Sequence, residues 1–318
     1  MNDNLFLDNL KQSTGMRVFL YLVILLISSL IGVAITAAMM LSGGDLGLKL
    51  GQGLSSIMMF VVPPIVYYFI TRKKHQMQAL GLRKTLSPWL LLVGAALMFI
   101  SLPVTDQLGL WNENMHLGGA LQFLDDLMKN MEDAAAEVTE RMLNVDTFGG
   151  LLLNLLVIAL IAAVGEELTF RGVLQQSLTR RMNPHVAICL SAAIFSFIHF
   201  QFYGFLPRMF LGLLLGYLFY ISDSLWTSIL MHFVNNGTAV VLHYLSNKGI
   251  IDVDVDHIAS LPMGYVAASA VATIAIIVLC WRKSKELVQE DEGHQRLDAV
   301  EDHDGTRGSL TEHTQGPL

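Results

Sequence analysis

Residues 18–44 read VFLYLVILLISSLIGVAITAAMMLSGG, without an Asp, Glu, Lys or Arg from end to end. A helix needs about 20 apolar residues to cross the hydrocarbon of a bilayer, and this run exceeds that, so it predicts a membrane span. It is too long for the apolar part of a cleaved signal and lacks a small-residue cleavage site of the usual kind. Further charge-free runs follow at residues 51–71, 85–105, 147–165, 182–207, 224–247 and 258–281, with a shorter one at 209–222 between Arg208 and Asp223. The short run spans only if its ends snorkel or the bilayer thins. Counting it predicts an all-α, polytopic membrane protein of about eight transmembrane helices. Composition agrees: of 318 residues 53% are apolar and only 15% charged, with a mean hydropathy of +0.52, whereas soluble domains carry about 25% charged residues. A net charge of −7, from 20 Lys+Arg against 27 Asp+Glu, offers no basic footprint and argues against nucleic acid as a partner. The only cysteines, Cys189 and Cys280, have no metal-type spacing.

Orientation follows from Lys and Arg, which are retained in cytoplasmic loops. Arg72, Lys73, Lys74, Arg83 and Lys84 place the loop after the second run inside. The loop after the third run belongs outside, because Asp106, Glu113, Asp125, Asp126, Glu132, Asp133, Glu137, Glu140 and Asp146 face only Lys129 and Arg141. Alternation then puts Arg180 and Arg181 inside and, if the short run spans, Arg282, Lys283 and Lys285 as well. The expected organisation is a cytoplasmic N-terminus (1–16), three spans (17–105), an external acidic loop (106–147), a core of five spans carrying the chemistry (148–282) and a disordered, acidic cytoplasmic tail (283–318). Within the loop, Leu121, Leu124, Leu127, Met128 and Met131 recur at helical spacing among acids. That pattern fits an amphipathic helix on the outer surface or, equally, a solvated connector.

Ionisable groups inside a bilayer cost several kcal/mol each and usually line a polar cavity. Gly165-Glu166-Glu167-Leu168-Thr169-Phe170-Arg171 pairs Glu167 with Arg171 at i,i+4 and leaves Glu166 about a third of a turn round. Taken alone, a salt bridge at a membrane boundary explains the motif as well. Phe195…His199 follows the break at Asn183-Pro184, and with about 17 residues before the turn and about 15 after it, Glu166 and His199 come level. His232 and Asn236 share one helix face, His232 about 12 Å in from the start of its run, while Asn235 is expected to point elsewhere. A carboxylate, two imidazoles and a carboxamide in one layer suit activation of a water by Glu166, its positioning by the histidines and hydrogen bonding of an oxyanion by Asn236. The alternative is a transporter or a proton or metal relay built on the same acids and histidines; no inverted repeat or paired broken helices support it. Blander readings fit other residues: close helix packing at Gly212 and Gly216, snorkelling at Arg208 with contact to substrate as the lesser alternative, interfacial positions for His185 and His243, and a kink at Pro63-Pro64.

At these residues the chain resembles the CAAX-protease and bacteriocin-processing intramembrane peptidases, the ABI or type II CAAX prenyl endopeptidase-like family, whose eukaryotic members trim prenylated proteins. The family pattern of Glu-Glu-x-x-x-Arg, Phe-x-x-x-His and His-x-x-x-Asn/Asp is matched by Glu166-Glu167…Arg171, Phe195…His199 and His232…Asn236. The first motif would occur by chance in roughly one chain in twenty, so the weight lies in all three occurring in order. The resemblance covers about residues 150–245. It implies an eight-helix core with an internal polar cavity, proteolysis near the cytoplasmic side, Glu166 as the water-activating residue and Glu167 and Arg171 in support. The implied partners are the lipid bilayer and a membrane-associated peptide or protein substrate. Zn²⁺ on His199 and His232 is one way to hold the water; zinc peptidases normally use three protein ligands and no HExxH is present, so direct activation by Glu166 is preferred. Short loops and the lack of an organellar signal fit a bacterial inner membrane, with both termini cytoplasmic. There prenylated proteins are not expected, and bacteriocin processing or immunity, peptide maturation and quality control stand unranked.

Overall fold

The computed structural model describes residues 14–71, 80–82, 87–252 and 261–285, and every helix or strand assigned among them is a helix. The fold is all-α. The basic cluster at residues 72–74, 83 and 84 and the acidic tail from residue 286 lie outside the described residues. The first two runs form α1 (Val18–Leu41) and α2 (Gly43–Ile70), joined across Gly44, whose φ of 54° and ψ of −137° suit only glycine. Lipid gives helices no hydrophobic reason to associate, so close backbone contact through small residues must do it. Here a Cβ on Gly32 would stand 2.8 Å from Ser55 Oγ, and Thr36 Oγ1 donates to Gly51 O at 2.9 Å.

The third run is broken. Helix α3 (Pro88–Ile100) meets α4 (Leu102–Glu113) at a 40° bend, where Pro103 in the first turn of α4 has no N–H to continue the ladder. Helical structure thus continues past Thr105, and Asp106 and Glu113, expected in the external loop, belong to α4. The amphipathic pattern forms α5 (Gln122–Leu143). Fourth comes α6 (Phe148–Thr179), a single helix that continues through the motif acids to the Asn183-Pro184 break. It contains two π-helical segments, Leu155–Ile161 and Leu168–Gln175.

The run at residues 182–207 is not one span. Helix α7 (Pro184–Phe197) starts with Asn183 Oδ1 accepting from the His185 N–H and has only 14 residues. The chain then leaves helical geometry, with Phe200 at φ 54°, and re-enters as α8 (Phe205–Ser222). Hydropathy cannot see this break because nothing charged stands between Met182 and Arg208. By taking residues 205–207 from the fifth run, together with Arg208, α8 reaches 18 residues, long enough by length and composition to cross a membrane. Helices α9 (Leu225–Asn247) and α10 (Met263–Lys285) follow. Among the described residues five helices (α1, α2, α6, α8 and α10) are long and apolar enough to cross a membrane, or six with the bent α3–α4 pair. The other two predicted segments return as the short α7 and as α9, whose apolar character is diluted by His232, Asn235 and Asn236. The described residues up to 273 form one compact unit, and 274–285 fall in a second.

One end of the first unit is tied by the Leu225 N–H donating to Gly81 O and Trp226 Nε1 to Leu82 O. At the other end Asn247 Nδ2 donates to Leu143 O. Pro64 cannot donate to Phe60 O, and Thr169 Oγ1 of α6 takes its place at 2.9 Å. Helix α2 continues through both prolines to Ile70, with a π-helical segment, Ile57–Val61, just before them. A Cβ on Gly165 would stand 2.8 Å from Phe60 Cβ, so the residue before Glu166 must be small for α2 and α6 to touch.

Candidate active site

The motif acids lie where α6 passes from α-helix into its second π-segment. Such segments leave carbonyls for partners outside the helix, and three neighbouring helices use them. Tyr68 Oη donates to Gly172 O at 2.9 Å, Ser191 Oγ to Phe170 O at 3.3 Å, and from α9 Asn236 Nδ2 donates to Ile158 O, in the first segment, at 3.2 Å. These bonds fix the rotation of α6, and with it the direction of Glu166 and Glu167.

Glu167 and Arg171 are essentially sealed from solvent. Arg171 Nη1 donates to Glu167 Oε1 at 2.6 Å, the i,i+4 pairing expected, and Nη2 donates to Gly212 O at 2.8 Å. Its guanidinium also stacks 5.1 Å from the Phe195 ring centroid. Gly212 and Gly216 thus do more than allow packing. A Cβ on Gly212 would stand 3.0 Å from Ala192 Cβ, and the two glycine carbonyls, one turn apart, accept from Arg171 and from Gln175 Nε2, also one turn apart.

The same Glu167 oxygen receives His232 Nδ1 at 2.9 Å. A carboxylate only accepts, so Nδ1 carries a hydrogen, and in the neutral ring Nε2 is then the nitrogen with the lone pair. That Nε2 stands 3.7 Å from Glu166 Oε2. His199 shows the same logic from another element. It sits two residues beyond α7, not inside a helix, and its Nδ1 donates to Phe195 O at 2.8 Å, which again frees Nε2. Phe195 touches both imidazoles edge to face, at 5.2 and 6.0 Å between ring centres. Glu166, His199, His232 and Asn236 all line one cavity of about 340 Å³, together with Asn235, Arg208, Ser101 and Thr105. Of the six residues singled out from the sequence, four thus face the cavity; Glu167 and Arg171 stand behind them as a buried support.

Two participants, Asn235 and Asn112, were not foreseen, and for Arg208 contact with substrate was the lesser alternative to snorkelling. Asn235 does not point away: its Nδ2 donates to Asn236 Oδ1 at 3.1 Å and it shares the cavity wall. Arg208 lines the cavity as well as lying at the start of a span. Asn112 on α4 holds the loop that carries His199, donating from Nδ2 to Phe202 O at 2.8 Å and accepting the Leu206 N–H at 2.6 Å. Nothing in the sequence sets Asn112 apart from Gln107 and Asn114, the other amides in or beside α4. Among the described residues no group of three or more His, Cys, Asp or Glu is gathered so as to hold a metal ion. A zinc peptidase would need that set, so the chemistry below is derived from the side chains alone.

Residues 148–238 match the family model described as type II CAAX prenyl endopeptidase Rce1-like. Comparisons with curated proteins and with solved structures find no match. The matched stretch opens with the first residue of α6, closes two residues after Asn236 and contains all six sequence-derived site residues. With the apolar helices it supports an integral, multi-pass membrane protein and, in general, a peptidase working in the membrane. Over residues 148–238, less than a third of its length, the chain is similar to the Rce1-like type II CAAX prenyl endopeptidases.

Proposed function

We propose that the protein is an intramembrane endopeptidase that hydrolyses a peptide bond of a membrane-associated substrate with a water activated by Glu166. The observation that carries this reading is the unlike setting of the two adjacent glutamates. Glu167 is spent on Arg171 and His232, whereas Glu166 faces the cavity with His232 Nε2 at 3.7 Å. That distance is beyond a direct hydrogen bond and suits a shared water. Glu166 takes a proton from the water as its oxygen attacks the carbonyl carbon, then returns it to the leaving amine. His232 and His199 offer Nε2 acceptors that orient the water and the substrate amide. Asn235 and Asn236 each use one amide hydrogen on the neighbouring acceptor and keep a second for the tetrahedral oxyanion.

Cleavage of a panel of fluorogenic membrane peptides in proteoliposomes tests this, with wild type beside Glu166→Gln and His199→Ala and with bound metal measured on the same preparations. Glu166-dependent cleavage is the expected result. Wild-type protein that cleaves nothing while conducting ions, with flux lost in the same variants, would replace the reading by the relay. A bacterial inner-membrane location and a site opening near the cytoplasmic side belong to this proposal, and membrane fractionation of cells with protease accessibility of intact spheroplasts tests them.

A further inference from the structure

Resting on the peptidase reading, we propose that Arg208 binds a carboxylate of the substrate, within a few residues of the bond that is cut, and so selects peptides that carry one there. Among the residues lining the cavity that holds Glu166, Arg208 is the one Arg or Lys. Its hydrogen bonds go to neutral acceptors: Nη1 to Gln201 O at 3.2 Å and Nη2 to Gln201 Oε1 at 2.9 Å. Among the described residues no carboxylate stands within ion-pair reach of it, unlike Arg171, which is locked to Glu167. The fork is thus oriented by Gln201 without being neutralised, and guanidinium groups so placed are suited to carboxylates.

Helix energetics do not explain the charge. Arg208 lies in the first turn of α8, where the positive end of the helix dipole disfavours a cation, and a half-buried one in a membrane span costs more. The electrostatics of the approach do explain it. A second cavity, with Glu113, Glu132 and Asp133 in its wall, meets the first at Gly204, and Glu132 and Glu166 both act on the Arg208 charge. A peptide carboxylate entering between these acids is repelled everywhere except at Arg208. Gly204 makes the geometry available, since a Cβ there would stand 2.8 Å from Arg208 Nη2. The cavity, at about 340 Å³, is at the small end for ligand pockets, which keeps the carboxylate close to Glu166.

The test uses matched peptides that wild type cleaves, ending in a free carboxylate, in a carboxamide, or in a carboxamide preceded by glutamate. Each is assayed with wild type, Arg208→Gln, Arg208→Lys and Glu166→Gln in proteoliposomes. The acid is expected to exceed the amide in kcat/KM by about ten- to a hundredfold, as for a charge-assisted hydrogen bond. The ratio is expected to fall to about one in Arg208→Gln and to recover in part in Arg208→Lys, the variant that also covers any folding defect. Recovery with the glutamate peptide assigns recognition to a carboxylate in general; none assigns it to the chain terminus. An acid-to-amide ratio near one in wild type, or unchanged in Arg208→Gln, overturns this inference alone while Glu166-dependent cleavage stands. If no cleavage depends on Glu166, both readings fall.

Discussion

Glu167 shares one oxygen between Arg171 Nη1 and His232 Nδ1 inside a sealed pocket, while Glu166 faces a cavity. Removing one partner of a buried pair leaves a charge without compensation and costs about 3–5 kcal/mol. Arg171→Met is therefore expected to lower stability by about that much, with activity falling because less protein is folded, in a thermal unfolding series run beside a cleavage assay. Glu166→Gln keeps shape and polarity at the cavity wall, where its nearest ionisable partner is His232 Nε2 at 3.7 Å, beyond a direct hydrogen bond. It is expected to cut kcat by about 10²–10⁴, the usual worth of a general base, with an unfolding midpoint near that of wild type. Equal loss of stability in the two variants would refute the division of labour. At this scale the sequence was informative wherever a polar residue interrupted an apolar run at helical spacing, as at Glu166, Glu167, Arg171, His232 and Asn236. It misassigned Asn235, because i,i+4 arithmetic describes a straight α-helix and ignores a side-chain bond between neighbours. It missed Asn112, whose partners lie far along the chain, at Phe202 and Leu206.

Helices could be read from charge-free runs because a bilayer demands them, but breaks inside those runs could not, since hydropathy records transfer energy and not backbone geometry. The bend at Ser101 had a visible cause in Pro103; the loop after Phe197 had none until Gly204 and Pro207, so His199 was placed inside a helix that has already ended. That loop is held from outside, chiefly by Asn112. Asn112→Ala leaves the Phe202 carbonyl and the Leu206 N–H without their partner, at about 1–3 kcal/mol for each buried group. Faster amide exchange at Leu206 and lower kcat with little change at α9 are expected; unchanged exchange would show that the clamp does not order the loop. The α2–α6 contact offers a sharper test. Thr169→Val removes the donor to Phe60 O and is expected to cost about 0.6 kcal/mol, the typical worth of such bonds between membrane helices. Pro64→Ala supplies a backbone N–H to the same carbonyl, so in that background Thr169→Val should cost almost nothing, a coupling that a double-mutant cycle measures directly.

Across the whole of the first unit, α5 links parts that the chain keeps far apart. Its C-terminal end is anchored to the spans, where Asn154 Nδ2 donates to Met142 O and Lys49 Nζ donates to Asn154 Oδ1. Nearer its start it reaches the site loop: Tyr203 Oη donates to Asp125 Oδ1 at 2.8 Å and the Tyr203 N–H to Glu132 Oε2 at 3.2 Å. The two carboxylates differ in sign. The Leu117 N–H, then the Tyr203 hydroxyl, hold Asp125 below the ordinary carboxylate range, and the same bond pushes Tyr203 up to about 12. Burial instead pushes Glu132 up, against the opposing pull of the Tyr203 N–H. A lowered folded pKa adds stability that is present above the unfolded value and is lost as pH falls through the folded one; a raised pKa adds stability present below the unfolded value and lost as pH rises through the folded one. At neutral pH the Asp125 contribution is complete and the charged Glu132 works against burial. Asp125→Asn is therefore expected to lower the unfolding midpoint at neutral pH, and its effect should fade as acid protonates Asp125 in the wild type. Glu132→Gln keeps an acceptor for the Tyr203 N–H without the charge, so its effect should be stabilising and should grow as pH rises through the raised Glu132 value. Midpoints for the three proteins from about pH 3 to about pH 8 would decide it. Parallel curves would mean that neither carboxylate bears on the tie between α5 and the loop that carries His199.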